Sequence, residues 1–354
     1  MLPNHQAKIC KGIVLERLEN LPPGGKMGDL PPHLQHQSFI RTGDKKTGGP
    51  NMRLLRLEDR TPALTVTAHI FNKFVHPTEH RYITPREAAC LQDFPIDYEF
   101  QGSLGEVHKQ IGNAVPVKLA TAIAKEVANY FKNIGEVGTK TIASFFTGAG
   151  GLDLGFEAAN DEIVEFQTKF SNDIELFSEK TISKNRPDWH FVRQDIRTIS
   201  AKQILDAIGS SPDIIIGGPP CQPFSVAGKQ KAIDDPLGVL YRDYIRLISE
   251  LRPKIVVMEN VYGLAQVKKA NMLDEIYKSF NEIGYDVKHA ELFACDYGTP
   301  QKRRRLFFIA TESHLDKFAF PEPTHSPTEN LLGLPLYQGA GEIIKKLPPP
   351  TYRE

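Results

Sequence analysis

The chain has 354 residues, 43 Lys+Arg balanced by 43 Asp+Glu, and 40% hydrophobic and 24% charged residues. That composition is globular, and the length can bury a full core and carry a second, smaller domain. No apolar run is long enough to span a membrane, and the N-terminus does not read as a signal peptide. Four scattered cysteines, Cys10, Cys90, Cys221 and Cys295, argue against a disulfide framework and for a reducing compartment, the cytoplasm. A formal net charge of zero does not announce a nucleic-acid binder. It leaves room for a local basic face, with candidates at 41–46, Arg53, Arg56 and 302–305.

Residues 1–75 are rich in Pro and Gly turns such as Pro22-Pro23-Gly24-Gly25, with short strands expected at 54–57 and 63–67. His76-Pro77-Thr78-Glu79-His80 reads as a turn, because no partner cluster with ligand spacing accompanies it; no metal is expected. A helix is expected over 85–92, with Cys90 on its apolar face. Leu119, Ala120, Ile123, Val127 and Phe131 recur at helical spacing and predict a helix over Val117–Asn133. The linker 134–140 then feeds a strand over 141–146.

From there strand and helix patterns alternate, the signature of a doubly wound sheet. Asp213-Ile214-Ile215-Ile216 reads as a buried parallel strand running into Gly217-Gly218-Pro219-Pro220-Cys221-Gln222-Pro223-Phe224-Ser225. A rigid Gly/Pro turn is a poor place to bury a small apolar side chain, so Cys221 is a candidate nucleophile. A second run, 254–258, ends in Glu259-Asn260-Val261, and Gln301-Lys302-Arg303-Arg304-Arg305 precedes a third, 306–310. In open α/β sheets the carboxyl ends of strands are where sites are built. A cysteine, a glutamate and arginines placed there suit the addition of a thiolate to an electron-poor ring.

These blocks resemble those of the DNA (cytosine-5) methyltransferases of bacterial restriction-modification systems. Phe145-Phe146-Thr147-Gly148-Ala149-Gly150-Gly151-Leu152-Asp153-Leu154-Gly155 resembles the S-adenosylmethionine loop, and the Pro-Pro-Cys-Gln, Glu-Asn-Val and Gln-Lys-Arg-Arg-Arg segments resemble three catalytic blocks. Arg86-Glu87-Ala88-Ala89-Cys90-Leu91-Gln92-Asp93-Phe94-Pro95 and Gln110-Ile111-Gly112-Asn113-Ala114-Val115-Pro116 resemble the two blocks that usually close the fold. Here those two precede the cofactor loop, so the resemblance implies a circularly permuted order. Termini of compact domains often lie close together, which makes permutation physically tolerable.

The resemblance implies an α/β methyltransferase with a Rossmann-like sheet and a smaller target-recognition domain. The catalytic domain would span 76–321, with the closing motifs at 81–133 ahead of the loop at 145–155. Recognition would be split between 1–75 and 322–354. It implies S-adenosylmethionine as cofactor and double-stranded DNA as partner, with nucleoid association through DNA. A cognate restriction endonuclease without a stable complex, and a monomer, complete the expectation.

By resemblance, Cys221 adds to C6 of cytosine, Glu259 holds the base edge and supplies a proton to N3, and Arg305 with Arg303 orients the base. Arg304, pointing the other way on a strand, is expected to be structural or solvated. Cofactor contacts are implied for Phe146, Thr147, Gly148, Gly150, Gly151, Leu152, Asp173, Ile174, Asp195, Ile196, Pro219, Leu240, Asn113, Ala114 and Val115. Within this set Asp173 is assigned the ribose hydroxyls and Asp195 the adenine amine. Ile174 stands where many members have a bulkier ring, which implies weaker adenine packing. DNA contacts are implied for Gln222, Ser225, Lys229, Gln230 and Lys231, and for Arg41, Lys45, Lys46, Asn51, Arg53 and Thr67 in the recognition part.

Rival readings stand beside these. Asp173 and Asp195 also suit helix capping, Glu259 a salt bridge, and the loop 225–236 a solvated surface rather than a lid over the target base. Arg86 and Glu87 read as buttresses of the recognition domain. A dinucleotide site is disfavoured because Asp153 occupies the place of the third fingerprint glycine. RNA cytosine methylation, on tRNA, is the alternative activity. A silent DNA-binding regulator would be expected to lack Cys221 or Glu259.

Overall fold

The computed structural model describes residues 2–36, 54–68, 73–220, 236–262 and 271–353. The chain divides into two compact units, one of Met1–Ala114, Gly298–Arg303 and Thr324–Glu354, the other of Val115–Tyr297 and Arg304–Pro323. Segment 76–114, read in sequence with the catalytic part, groups by its contacts with the first unit.

The second unit is built on a sheet of seven strands: β1 (Gly138–Phe145), β2 (Val164–Asp173), β3 (Phe191–Arg193), β4 (Ile214–Gly217), β5 (Ile255–Val261), β6 (Asp286–Phe293) and β7 (Arg304–Thr311). Their order across the sheet is β6-β7-β5-β4-β1-β2-β3. The strands β5-β4-β1-β2-β3 run parallel, and β7 is antiparallel to both β5 and β6. Helices α1 (Val117–Asn133), α2 (Gly151–Glu157), α3 (Leu176–Asn185), α4 (Ala201–Ile208), α5 (Pro236–Leu251) and α6 (Asn271–Glu282) accompany it. The chain steps outward from β1 through β2 to β3, then returns to β4 on the other side of β1. The crevice beyond the carboxyl ends of β1 and β4 is therefore the topological switch point.

Both faces of the sheet are covered, which explains the unbroken apolar runs in the sequence. Ile214, Ile216, Val257, Phe307 and Ile309 enter one buried cluster, while Ile215, Val256, Met258, Leu306 and Phe308 enter the other. The first cluster takes in the buried stripe of α1, namely Leu119, Ala120, Ile123, Val127 and Phe131. Helix α1 lies so close to α2 that a Cβ built on Gly155 would fall 2.2 Å from Ala120 Cβ. Glycine is what lets the two helices approach.

In the first unit, three short parallel pairs join Gln6–Lys8 to Thr351–Arg353, Leu55–Arg56 to Phe74–Val75, and Ala63–Leu64 to Gln301–Lys302. The first pair places both chain ends in this unit. The helix expected at 85–92 spans Pro85–Cys90, opened by a Thr84 capping box with Glu87. A small core gathers Leu18, Leu21, Met27, Leu30, Leu34, Leu54 and Val75.

Buried arginines hold this unit together. Arg86, fully buried, donates to the carbonyls of Pro3, Pro95 and Tyr98, as befits a buttress. Arg56, counted in sequence toward a basic face, is also buried and donates to the carbonyls of Leu18, Leu21, His76 and Glu79. That side chain is structural, because burial and four bonds donated to backbone carbonyls hold its guanidinium inside the unit.

Candidate active site at the strand ends

Strand β4 leads directly to the candidate nucleophile, and its last residue has to be small. A Cβ on Gly217 would lie 2.8 Å from Phe145 O, and one on Gly218 would lie 3.1 Å from Glu259 Oε2. The paired glycines thus let β4 sit beside β1 and leave space for the carboxylate of β5. Next along, Asn260 Nδ2 donates to Pro219 O at 3.0 Å in a buried contact, and Asn260 Oδ1 accepts from Val261 N at 2.9 Å. This side chain ties the segment entering Cys221 to the end of β5. The sequence reading used Asn260 only to complete a block. Its position directly after the carboxylate at a strand end was the signal available.

Glu259 and Arg305 come together through sheet register. Glu259 is paired with Phe307, and Arg305 with Val261, so Arg305 and Glu259 are diagonal neighbours on one face. Arg305 Nε lies 2.6 Å from Glu259 Oε1, and each side chain is only 12% exposed. Arg305 Nη1 also donates to Arg304 O at 2.7 Å. The salt bridge anticipated as a rival reading for Glu259 is present, and its partner is the other residue of the candidate site.

Arg304 faces the opposite way, as strand alternation requires. It pairs with Glu291 at 2.5 Å, its guanidinium over the rings of Tyr262 and Phe293. Arg303 belongs to the first unit, is fully buried, and donates to Val66 O at 2.7 Å and Gly112 O at 2.9 Å. Gln301 acts alongside it, donating to Leu91 O and Gln92 Oε1 and accepting from Val66 N. Arg303 lies at the break between Gln301–Lys302 and β7, outside the strand alternation that positions Arg305.

The glycine-rich loop leaves β1 in a left-handed bend. Phe146, Gly148 and Gly150 have φ of 55°, 57° and 74°, and Gly150 opens α2. Thr147 N donates to Asn172 O, Gly150 N to Thr147 O, and Gly148 N to Asp173 Oδ2 at 2.8 Å. Asp173 Oδ1 accepts from Glu175 N, and burial pushes its carboxyl above the usual carboxylate range. Beside it Ile174 is 60% exposed, while Leu152 and Ile196 are buried. Leu240 packs half-buried on the second cluster.

Asp195 caps the turn Ile196–Thr198 and pairs with Arg197 at 2.5 Å, which holds its carboxyl below the usual range. This is the capping alternative, reinforced by an ion pair. Asn113 and Ala114 close the helix Leu104–Asn113 in the first unit, whereas Val115 joins the core of the second.

An adenosyl ligand fits these residues. Left-handed backbone at the switch point permits close approach, Asp173 offers a carboxylate for hydroxyls, and exposed Ile174 offers an apolar surface for a base. Cys221, Gln222, Ser225, Lys229, Gln230 and Lys231, with the rest of 221–235, lie outside the described residues, as do Arg41, Lys45, Lys46, Asn51 and Arg53. Thr67 is described and exposed. No helix among the described residues is long and apolar enough to cross a membrane.

The family model for C-5 cytosine-specific DNA methylases matches residues 31–129 and 140–349. The Type II methyltransferase M.AquIA of Picosynechococcus sp. is 38% identical over 231 residues, covering 60% of this chain and 90% of that protein. M.NgoPII of Neisseria gonorrhoeae is 39% identical over 182 residues, 51% of each chain. M.FnuDI of Fusobacterium nucleatum is 38% identical over 184 residues, 51% of this chain and 50% of that one. The match thus spans about half the length of the latter two relatives. Members of this family take their methyl group from S-adenosylmethionine. With a family model matched across most of its length and a switch-point site of the kind that chemistry needs, the chain belongs to the C-5 cytosine-specific DNA methylase family.

Proposed function

We propose that this chain methylates C5 of a cytosine flipped out of a specific short double-stranded DNA sequence, through a transient bond from Cys221 Sγ to C6. The observation that carries this reading is the Glu259–Arg305 ion pair, with Asn260 tethering Pro219 two residues before Cys221. S-adenosylmethionine, held by the Phe146–Leu152 loop and Asp173, supplies the methyl group when bound.

The Cys221 thiolate forms a bond to C6 and pushes the ring electrons toward C5, while Glu259 supplies a proton to N3. Arg305 holds the Glu259 carboxyl in place. C5 takes the methyl group, then gives up its proton to a base or a water molecule, the electron pair left behind expels the thiolate, and N3 returns its proton to Glu259. A base stacked in a duplex is out of reach of Cys221, which is why flipping is part of the proposal.

Recognition falls to 1–75 with 322–354, and catalysis to 76–321. Both chain ends lie in one unit, which also takes in 76–114 and 298–303, and a largely apolar cavity of about 490 Å³ there carries Lys8, Lys11 and Arg17 in its lining, cations that can meet phosphate. We further infer a circularly permuted motif order. The packing of α1, which follows the Gln-Ile-Gly-Asn-Ala-Val-Pro block, against α2 of the cofactor loop supports it. From the Type II relatives we infer a role as the modification enzyme of a restriction-modification system; action as a monomer in the cytoplasm is part of the same proposal.

Base-resolution 5-methylcytosine sequencing of a methylation-free bacterial host tests the proposal. Wild type should methylate one short motif, and Cys221→Ser should leave the genome unmethylated while still binding S-adenosylmethionine. Unmethylated DNA with wild-type protein, or methylation by the mutant, would sink it.

A further inference from the structure

Beneath the cofactor loop lies a carboxyl that the chemistry above does not use. Asp153, in the first turn of α2, is 1% exposed. Its Oδ2 lies 3.1 Å from Ser144 Oγ of β1, and its Oδ1 accepts from Thr168 Oγ1 of β2 at 3.3 Å. Ser144 Oγ is 3.0 Å from Thr147 Oγ1, which in turn accepts from Asn172 N at 3.2 Å. The chain of contacts therefore runs from a buried acid, through two hydroxyls, into the residue that precedes Gly148.

We propose that Asp153 is a positioning residue for the cofactor: through Ser144 and Thr147 its carboxyl sets the shape of the loop that receives S-adenosylmethionine. The inference rests on the methyl-donor reading above.

The proton inventory shows what the carboxyl controls. As a neutral acid, Asp153 donates to Ser144 Oγ, Ser144 donates to Thr147 Oγ1, and Thr147 donates to Ser144 O, 3.3 Å away. As an anion, Asp153 draws the Ser144 proton toward itself. The hydroxyl chain reverses, and Thr147 loses its donor from Ser144.

Burial pushes the Asp153 carboxyl up to about 7 against the lowering effect of Ser144 and Thr168. A charged neighbour acting on it is Glu157, one turn on in α2 and ion-paired with Arg186 at 2.8 Å. Strands β1 and β2 meet the carboxyl with the hydroxyls of Ser144 and Thr168. Helix α1, packed on α2, contributes the buried apolar residues Leu119, Ala120 and Ile123 to the shared core. The acid and the anion are thus nearly balanced at neutrality, the acid prevailing below it, and raising the pH loosens the loop.

The test is calorimetric titration of the full chain with S-adenosylmethionine between pH 6 and 8.5, for wild type, Asp153→Asn, Asp153→Ala and Ser144→Ala. Because the ligand's own amino group titrates in this range, the quantity to follow is the affinity ratio of each variant to wild type. Asp153→Asn mimics the neutral acid, so its ratio should start near one and rise to about tenfold tighter by pH 8, the change expected for one pKa unit. Asp153→Ala and Ser144→Ala should bind about tenfold more weakly than wild type at pH 6. Ser144→Ala keeps the acid and breaks only the link, so it decides the matter if Asp153→Ala melts. A flat Asn ratio, or wild-type affinity in Ser144→Ala, overturns the positioning role while leaving the methyl-donor reading intact. Absence of binding by wild type at every pH overturns both.

Discussion

Arg305 reaches Glu259 diagonally across β7 and β5, Nε to Oε1 at 2.6 Å, with both side chains nearly closed to solvent. The pair fixes where the carboxyl sits relative to the turn that enters Cys221. Arg305→Ala should cost about 3 kcal/mol of stability, because a nearly buried charge loses its partner. It should also lower the methylation rate by about two orders of magnitude, since catalytic groups depend on sub-ångström placement. Urea unfolding together with radiolabelled methyl incorporation measures both; an Arg305→Ala rate equal to wild type would remove Arg305 from the site.

Asn260 makes a different kind of contribution. Its amide holds Pro219 O at 3.0 Å, so Asn260→Ala frees the approach to Cys221 without touching the cofactor loop. The expected result is about a tenfold loss in methylation rate, with a smaller loss of S-adenosylmethionine affinity, since Pro219 is itself an implied cofactor contact. An affinity loss matching the rate loss would mean that the tether supports the whole site.

Arg303 should behave as a structural residue. Its two donated bonds satisfy the carbonyls of Val66 and Gly112, and Arg303→Ala leaves both buried acceptors without this donor. A loss of about 2–3 kcal/mol is expected in denaturant melts. Arg303→Lys should recover only part of it, since one ammonium cannot reproduce a planar fork. A full-stability alanine variant with dead chemistry would return Arg303 to the catalytic set.

At Gly155 the prediction concerns packing. Gly155→Ala places a methyl 2.2 Å from Ala120 Cβ and 2.7 Å from Ala120 C, which should destabilise the protein by about 1–3 kcal/mol. Ala120→Gly in the same chain should restore only part of this, because the backbone contact persists. Thermal melts of wild type and the two variants decide it.

His108 supplies a pH signature. Burial, with Arg353 acting in the same direction, lowers its imidazole to about 4 from the ordinary 6.5. A depressed histidine stays neutral in the folded state, so its contribution is complete above 6.5 and is lost as pH falls from there toward 4. Replacing it with Gln should flatten that part of the stability–pH curve. An unchanged acid limb would show that His108 is not its source.

The strand-end blocks, the helix Val117–Asn133 and the Gly-rich loop were legible in the sequence because each depends on local signals. A 3.6-residue apolar period, an apolar run ending in Gly-Gly-Pro-Pro and a cluster of glycines after a strand carry their meaning within a few residues. The Glu259–Arg305 pair, the carbonyl clamps of Arg56 and Arg303, and the Asp153–Ser144–Thr147 relay were decided by tertiary structure alone. Antiparallel register sets which residue of β7 stands diagonal to Glu259, and the break between Lys302 and Arg304 sends neighbouring arginines into different units. In the sequence Asp153 served only to argue against a dinucleotide fingerprint. Only the closure of β1, β2 and α1 around it removes its water and turns a first-turn carboxylate into a buried acid.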